Sequence, residues 1–338
     1  MNELFFFTFM SFLATFTLQN NCYMKLKYPI LILTVFCASL ILQACGQKDK
    51  GAEFKVLVWN IWHGGNDESL PEDGRPSVVE VIKESEADVV LMIETYGSAP
   101  YISKETGMDY ELLSSNLCIF SRYPIKRKIE FPESISTFNF GGVEILVEDS
   151  IPVLFFDTWL HYLPDTRLAP LGDGEAAILA WENKGSRDDE VKSIVNVLEP
   201  LIKESETTPI ILGGDLNSHS HLDWTDKTKD LPGHGGEIVN WTISRVLYDA
   251  GFKDAFREIN PDPLKHPGKT WISGHENDKL VYTRTDRIDY CYYVGGKIKP
   301  IDSESHTAIP GDVLRFRDKE IMYPSDHGFV LTRYRLKR

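Results

Sequence analysis

Basic residues are scarce in this 338-residue chain: 36 Lys and Arg stand against 50 Asp and Glu, a formal net charge of -14. Non-specific binding of a polyanion relies on neutralising its phosphates with Lys and Arg. A surface this acidic therefore argues against strong nucleic-acid binding. The only basic clusters, Lys126-Arg127-Lys128 and Lys297 with Lys299, follow no candidate site residue. Cysteine is scarcer still. Of five in all, three lie beyond residue 44 (Cys45, Cys118 and Cys291), too few for a disulfide-stapled framework. Cys118 and Cys291 sit in apolar runs and are expected as two separate buried thiols. After residue 42 no apolar run approaches the ~20 residues of a spanning helix. Internal repeats, low-complexity blocks and linkers are missing after residue 54, so residues 54–338 read as one domain. With 42% hydrophobic residues, that length can bury a large core.

The N-terminal stretch follows a different pattern. From Met24 the chain reads Met-Lys-Leu-Lys-Tyr-Pro, then an apolar run from Ile30 to Leu42, then Gln43-Ala44-Cys45. A basic start, a short apolar run and a small residue before a cut make a signal peptide over 24–44. The ending resembles a bacterial lipoprotein box, which implies lipidation of Cys45, a polar tether over 45–53 and a place in the bacterial cell envelope. Gly46 rather than Asp after the cysteine favours the outer membrane, on its periplasmic or surface face. Residues 1–23 then read as an upstream extension, with translation starting at Met24.

Beyond the tether, apolar strand-like runs repeatedly end in an oxygen or imidazole ligand. Phe54–Asn60 ends at Asn60, and Asp88–Glu94 at Glu94. Pro209–Leu212 runs into Gly213-Gly214-Asp215-Leu216-Asn217. Arg287-Ile288-Asp289-Tyr290 opens a run to Val294, and Ser325-Asp326-His327 precedes Phe329–Arg333. Further strands are expected over 117–120, 143–147 and 153–160, the last ending at His161. Helical spacing of apolar residues predicts helices over 77–85, 188–205 and 240–250. Residues 164–174 and 219–236 read as long loops that wall a substrate site. Asn, Asp and Glu at strand ends, with a histidine, are the ligand set of a hard cation beside a phosphate ester.

Taken in order, Trp59-Asn60, Glu94, Ser121-Arg122-Tyr123-Pro124-Ile125, Gly214-Asp215-Leu216-Asn217, Arg287-Ile288-Asp289-Tyr290 and Ser325-Asp326-His327 resemble the endonuclease/exonuclease/phosphatase superfamily, which includes DNase I. The resemblance spans residues 54–338. It implies a four-layer α/β/β/α sandwich, with two packed, mostly antiparallel sheets flanked by helices. It also implies a metal-dependent phosphoric ester hydrolase using Mg²⁺ or Mn²⁺. Glu94 would ligate the metal, with Asn60 and Asp326 on the metal side. Asp215 would be the base that orients water, and Asn217 would bond that water or a phosphate oxygen. His327 would contact the scissile phosphate, held by Asp289. His161 matches the family's second histidine, although Trp159-Leu160-His161-Tyr162 departs from the usual motif.

Weaker candidates are Arg167, for a second phosphate or a carboxylate, and His221, for substrate. His219, His221 and Asp223 alternate after Asn217 and could hold a transition metal; shaping the pocket with Trp224 is the plainer reading. His63 could face the same pocket. The expected function is hydrolysis of a small organic phosphate mono- or diester by an exported, membrane-tethered monomer. The alternatives are an extracellular nuclease, a sphingomyelinase-like phospholipase C, and a non-catalytic binding protein. The last would be expected to lose Glu94, Asp215, Asn217, Asp289, Asp326 or His327 first, and all six are present.

Overall fold

The computed structural model describes residues 51–147, 151–272, 275–276, 279–280 and 285–337. Met24, the signal stretch 24–44 and Cys45 lie outside the described residues. Strand β1 (Glu53–Asn60) shows the plan of the fold. Alternate side chains leave a strand on opposite faces. Val56 and Val58 enter a core between two sheets, whereas Leu57 and Trp59 enter a second core on the outer face. Both faces are apolar, so the strand reads as an unbroken hydrophobic run.

Helical turn α1 (Trp62–Gly65) and helix α2 (Arg75–Ser85) follow, then β2 (Val89–Ile93), α3 (Ala99–Thr106), β3 (Asp109–Leu112), β4 (Cys118–Ser121), β5 (Ile125–Lys128), β6 (Phe140–Val147) and β7 (Ile151–Trp159). Next come α4 (Glu175–Glu182), α5 (Arg187–Lys203), β8 (Ile210–Asp215), α6 (Thr242–Asp249), β9 (Lys253–Asp254) and α7 (Ala255–Ile259). Four two-residue strands, β10 (Trp271–Ile272), β11 (His275–Glu276), β12 (Lys279–Leu280) and β13 (Thr285–Asp286), precede β14 (Asp289–Val294), β15 (Ile298–His306), β16 (Val313–Phe316), β17 (Lys319–Met322) and β18 (Phe329–Leu336).

One six-stranded sheet runs β15-β18-β1-β2-β4-β3 and the other β5-β6-β7-β8-β14-β9. In each, a single pair is parallel, β1 with β2 and β7 with β8, and the other pairs are antiparallel. Val78, Val81 and Ile82 of α2 cover the outer face of the first sheet. Val191, Ile194 and Leu198 of α5, with Ile243 and Leu247 of α6, cover the second. This is the four-layer α/β/β/α sandwich expected from the motifs. Cys118 and Cys291 are buried free thiols, as anticipated. Among the described residues, no helix is long and apolar enough to cross a membrane.

The topology delivers the site to one end. Parallel β1 and β2 put Asn60 beside Ile93 and hence beside Glu94. Parallel β7 and β8 pair Trp159 with Asp215, and antiparallel β14 starts with Asp289 opposite Asp215. Strand β18 pairs Phe329 with Trp59, which brings His327 to the same edge. Where β8 crosses the first sheet the two layers nearly touch. A Cβ at Gly213 would meet Leu91 Cδ1 and Val58 Cγ2 at 2.6 Å, so this approach requires glycine.

Candidate active site

Asn60 is fully buried and ties two carboxylates together. Its Nδ2 donates to Glu94 Oε1 at 3.1 Å and to Asp215 Oδ2 at 3.2 Å, while its Oδ1 accepts the Trp62 amide at 3.0 Å. Glu94 sits at the end of β2 with φ 57°, a left-handed conformation that costs a non-glycine residue energy. Three hydrogen bonds, two on its backbone and one on its side chain, hold it there. Its amide donates to Asn116 Oδ1 at 3.1 Å, its carbonyl accepts the Gly64 amide at 2.8 Å, and its Oε2 accepts the His63 amide at 3.1 Å.

Asp215 is buried at the end of β8. It accepts the Asn217 amide on Oδ1 at 2.9 Å and Asn217 Nδ2 on Oδ2 at 3.1 Å. Asn217 Nδ2 also donates to the Leu160 carbonyl at 2.9 Å, so its amide is spent on orienting Asp215. Burial, with Asp289 adding to it against the opposing pull of His327, raises Asp215 to about 7. A carboxyl that titrates near neutrality is suited to accept a proton from water.

His327 donates or accepts through Nδ1 with Asp289 Oδ2 at 3.0 Å, and its Nε2 lies 3.8 Å from Asp215 Oδ2. Burial alone would lower the histidine's pKa. The surrounding Asp289, Asp215 and Asp326 outweigh it and raise the ring well above its ordinary value. The three carboxyls thus favour the protonated ring, in which Nδ1 donates to Asp289. Its backbone is fixed by Ser325 Oγ, Trp59 Nε1 and Tyr323 Oη.

Asp326 completes the cluster. Its Oδ2 accepts Trp271 Nε1 at 3.1 Å, and its buried Oδ1 has no hydrogen-bond partner. Burial first, then the neighbouring Glu94 and Asp289 charges, push it upward against the pull of His327 and Trp271. Buried carboxylates this close need a compensating cation. The residues fit one: a partnerless buried oxygen and a crowd of oxygen donors are what a hard divalent ion takes up. The tightest group of possible ligand atoms is Asp215, Asp289 and His327, all within 4.8 Å. Beside that group, Glu94 and the partnerless Asp326 Oδ1 offer further oxygen donors on the same cavity.

These groups open into a cavity of about 330 Å³, also walled by Trp62, Tyr96, Trp159, Tyr162 and Trp271. Three expected site residues lie off this wall. His161 stacks on Tyr162 at 5.0 Å, its Nδ1 takes the Leu163 amide, and its own amide is bound by Glu190. Arg167 pairs with Asp165 and lies 4.5 Å over the Trp271 ring, backing the wall. His221 bonds Ser244 Oγ at 2.8 Å and is lowered to about 4 by burial. Asp223 is held by Arg257 Nε at 2.6 Å and by Arg287 at 2.7 Å, and His219 packs on Trp224 and Trp241. The alternating His219, His221 and Asp223 therefore do not converge as a metal site. A larger cavity of about 420 Å³ lies by these residues, but Asp223, Arg257 and Arg287 are already committed to one another.

Two contributors were not legible beforehand. Asn116, before β4, positions Glu94 and donates to the Phe138 carbonyl. Arg187, at the start of α5, donates to the carbonyls of Asn217, Tyr162 and Pro164, locking the Asp215 turn to the aromatic wall. The polar run before β4 hinted at Asn116. Arg187 gave no signal, because it sits in a helix whose pattern reports only its apolar stripe.

A carboxylate cluster with a charged histidine, at the strand ends of a four-layer sandwich, defines a metal-dependent phosphoesterase. Residues 57–327 match the Endonuclease/Exonuclease/phosphatase family. The chain belongs to that family and is a metal-dependent phosphoric ester hydrolase. An uncharacterized protein of Caenorhabditis elegans is 28% identical over 306 residues, covering 83% of this chain and 90% of that one. Among solved structures, the fold is shared with TDP2 of D. rerio complexed with single strand DNA product (TM-score 0.54, 13% identity, 84% of this chain and 99% of that one). It is also shared with a mannosyl-6-phosphatase of Bacteroides thetaiotaomicron (TM-score 0.52, 15% identity, 82% and 98%).

Proposed function

We propose that this protein hydrolyses a small organic phosphate ester with the help of Mg²⁺ or Mn²⁺. The observation that carries the reading is the pairing of a near-neutral carboxyl, Asp215, with an imidazolium, His327, across 3.8 Å at the edge of a small cavity. Asp215 accepts the proton of the attacking water, held in place by Asn60 and Asn217. His327 donates from Nε2 to a phosphate oxygen as negative charge develops there, and Asp289 keeps the ring protonated. Glu94 and Asp326 would hold the cation, which when bound supplies Lewis-acid charge neutralisation at the phosphate. His161, off the cavity wall, carries no step in this scheme.

The two solved relatives span both substrate types, one carrying a single-strand DNA product and one named for a sugar phosphate. The charge of -14 favours the small ester. The lipoprotein-like Cys45 supports attachment to a bacterial envelope, where such an enzyme would meet exported or scavenged esters.

The test replaces the base. Asp215→Asn preserves shape and hydrogen-bond reach, and removes the proton acceptor. Turnover should fall by on the order of 10²–10⁴ while thermal melting stays sharp. Wild-type turnover in a folded Asp215→Asn protein removes Asp215 from the chemistry.

A further inference from the structure

The mechanism uses the carboxylates and His327 but leaves the rest of the cavity wall unexplained. That wall is aromatic. Trp159 leaves β7 beside Asp215, with Tyr162 one turn on at 6.3 Å between ring centroids. The Trp62 and Tyr96 rings lie 5.6 and 6.4 Å from the His63 ring. Trp271 is pinned by its bond to Asp326 and by Arg167 on its face. Tyr96 and Tyr162 are 43% and 54% exposed, so they are not there to fill a core. Exposed rings converging on one cavity mark a binding surface. No Lys or Arg is among the described residues that line it, so with the one phosphate on His327 a second phosphate on the substrate would meet carboxylates and find no Lys or Arg.

We propose that this aromatic wall is the leaving-group subsite, and that it selects esters of an uncharged ring, a sugar or an aromatic alcohol, over acyclic esters and over bisphosphates. The inference rests on the phosphoesterase reading above. A cavity of about 330 Å³ lies at the small end of ligand sites, enough for one ring next to one phosphate. Rings stack on Trp and Tyr faces with an offset geometry that tolerates several ring types. The specificity therefore falls on shape and charge rather than on one hydrogen-bond pattern.

The experiment uses the full chain with Mg²⁺ and compares primary-alcohol leaving groups only: ethyl, benzyl and hexose-6-yl. Each is offered as a monoester and as a methyl diester, with a hexose 1,6-bisphosphate alongside. The ring esters should exceed the ethyl ester in kcat/KM by about tenfold or more, and the bisphosphate should trail the hexose monophosphate. Tyr162→Ala and Tyr96→Ala should each shrink the ring-to-ethyl ratio several-fold. Trp159→Ala should do so more strongly; because Trp159 packs partly into the inter-sheet core, Trp159→Leu repeats the test with a filled site. Equal kcat/KM for ring and ethyl esters, or a ratio untouched by all of these variants, overturns the subsite and leaves the hydrolase intact. Benzyl without hexose preference, or the reverse, identifies which ring the wall takes. Failure to turn over any ester refutes the phosphoesterase reading itself.

Discussion

His327 depends for its charge on a residue that touches no substrate. Asp289 is fully buried, donates its amide to Thr270 Oγ1 and faces the imidazole at 3.0 Å. Replacing it by Asn keeps an oxygen for the Nδ1–H and removes the negative charge that holds the ring protonated against burial. The histidine's pKa then drops. A group that acts as the protonated form loses activity as pH rises through its pKa, so the alkaline limb of kcat/KM should move to lower pH. Activity at pH 8 should fall on the order of 10²-fold, and the acidic side should change less. A pH–rate profile of Asp289→Asn checks this; an alkaline limb that stays in place means His327 is not the acidic partner. The Asp289–His327 pairing was legible because both residues sit at the mouths of apolar runs. The part played by Asn217 was not. The sequence supports a role toward water or phosphate, but the side chain is turned to Asp215 and the Leu160 carbonyl, a choice made by the turn and invisible in residue type.

At the scale of elements, long strands with two buried faces were the readable part. β1, β2, β7, β8 and β14 carry continuous apolar runs that fix both their existence and their ends. β15 was missed because its second half is a run of polar residues, Asp302, Ser303, Glu304 and Ser305, that leaves no apolar alternation, and α4 because its eight residues are too few to establish a helical stripe. Arg287 was given no part by its motif. It is buried and bridges Asp223 and Asp254 at 2.7 Å each, tying the loop after Asn217 to β9 at the base of the site. A close contact between the two sheets is at Gly213. Alanine there places a methyl group 2.6 Å from both Leu91 and Val58, between two sheets with no room to part. Gly213→Ala should lower stability by about 1–3 kcal/mol and, by displacing β8, misplace Asp215. Chemical denaturation together with kcat measures the two effects. An unchanged midpoint would show that the sheets separate more easily than this packing allows.

For the whole molecule, charge has opposite meanings near and far from the site. The net charge of -14 repels a polyanion at long range, where ion pairs are screened over about 8 Å at physiological salt. Inside the site, Glu94, Asp215, Asp289 and Asp326 face one another against a single imidazolium, a local excess that folding tolerates only by raising Asp215 and Asp326. A divalent cation relieves that excess and binds the folded state alone, so it stabilises the protein by mass action. At a hundredfold excess over Kd the gain is about 2.7 kcal/mol, which should raise the melting temperature by several degrees. Because burial holds the Asp326 carboxyl above its ordinary range, the ion competes with a proton there, so its affinity should strengthen as pH rises, with proton release on binding. Calorimetry of Mg²⁺ binding in two buffers of different ionisation enthalpy reads that release. Glu94→Gln and Asp326→Asn should each weaken the metal-induced shift, and a chelated sample should lose turnover and recover it on re-addition. The same samples offered plasmid DNA at physiological salt should neither retain nor nick it. A metal-induced shift that survives both substitutions places the ion elsewhere, and nicked plasmid would show that local geometry at the strand ends outweighs the field of the whole surface.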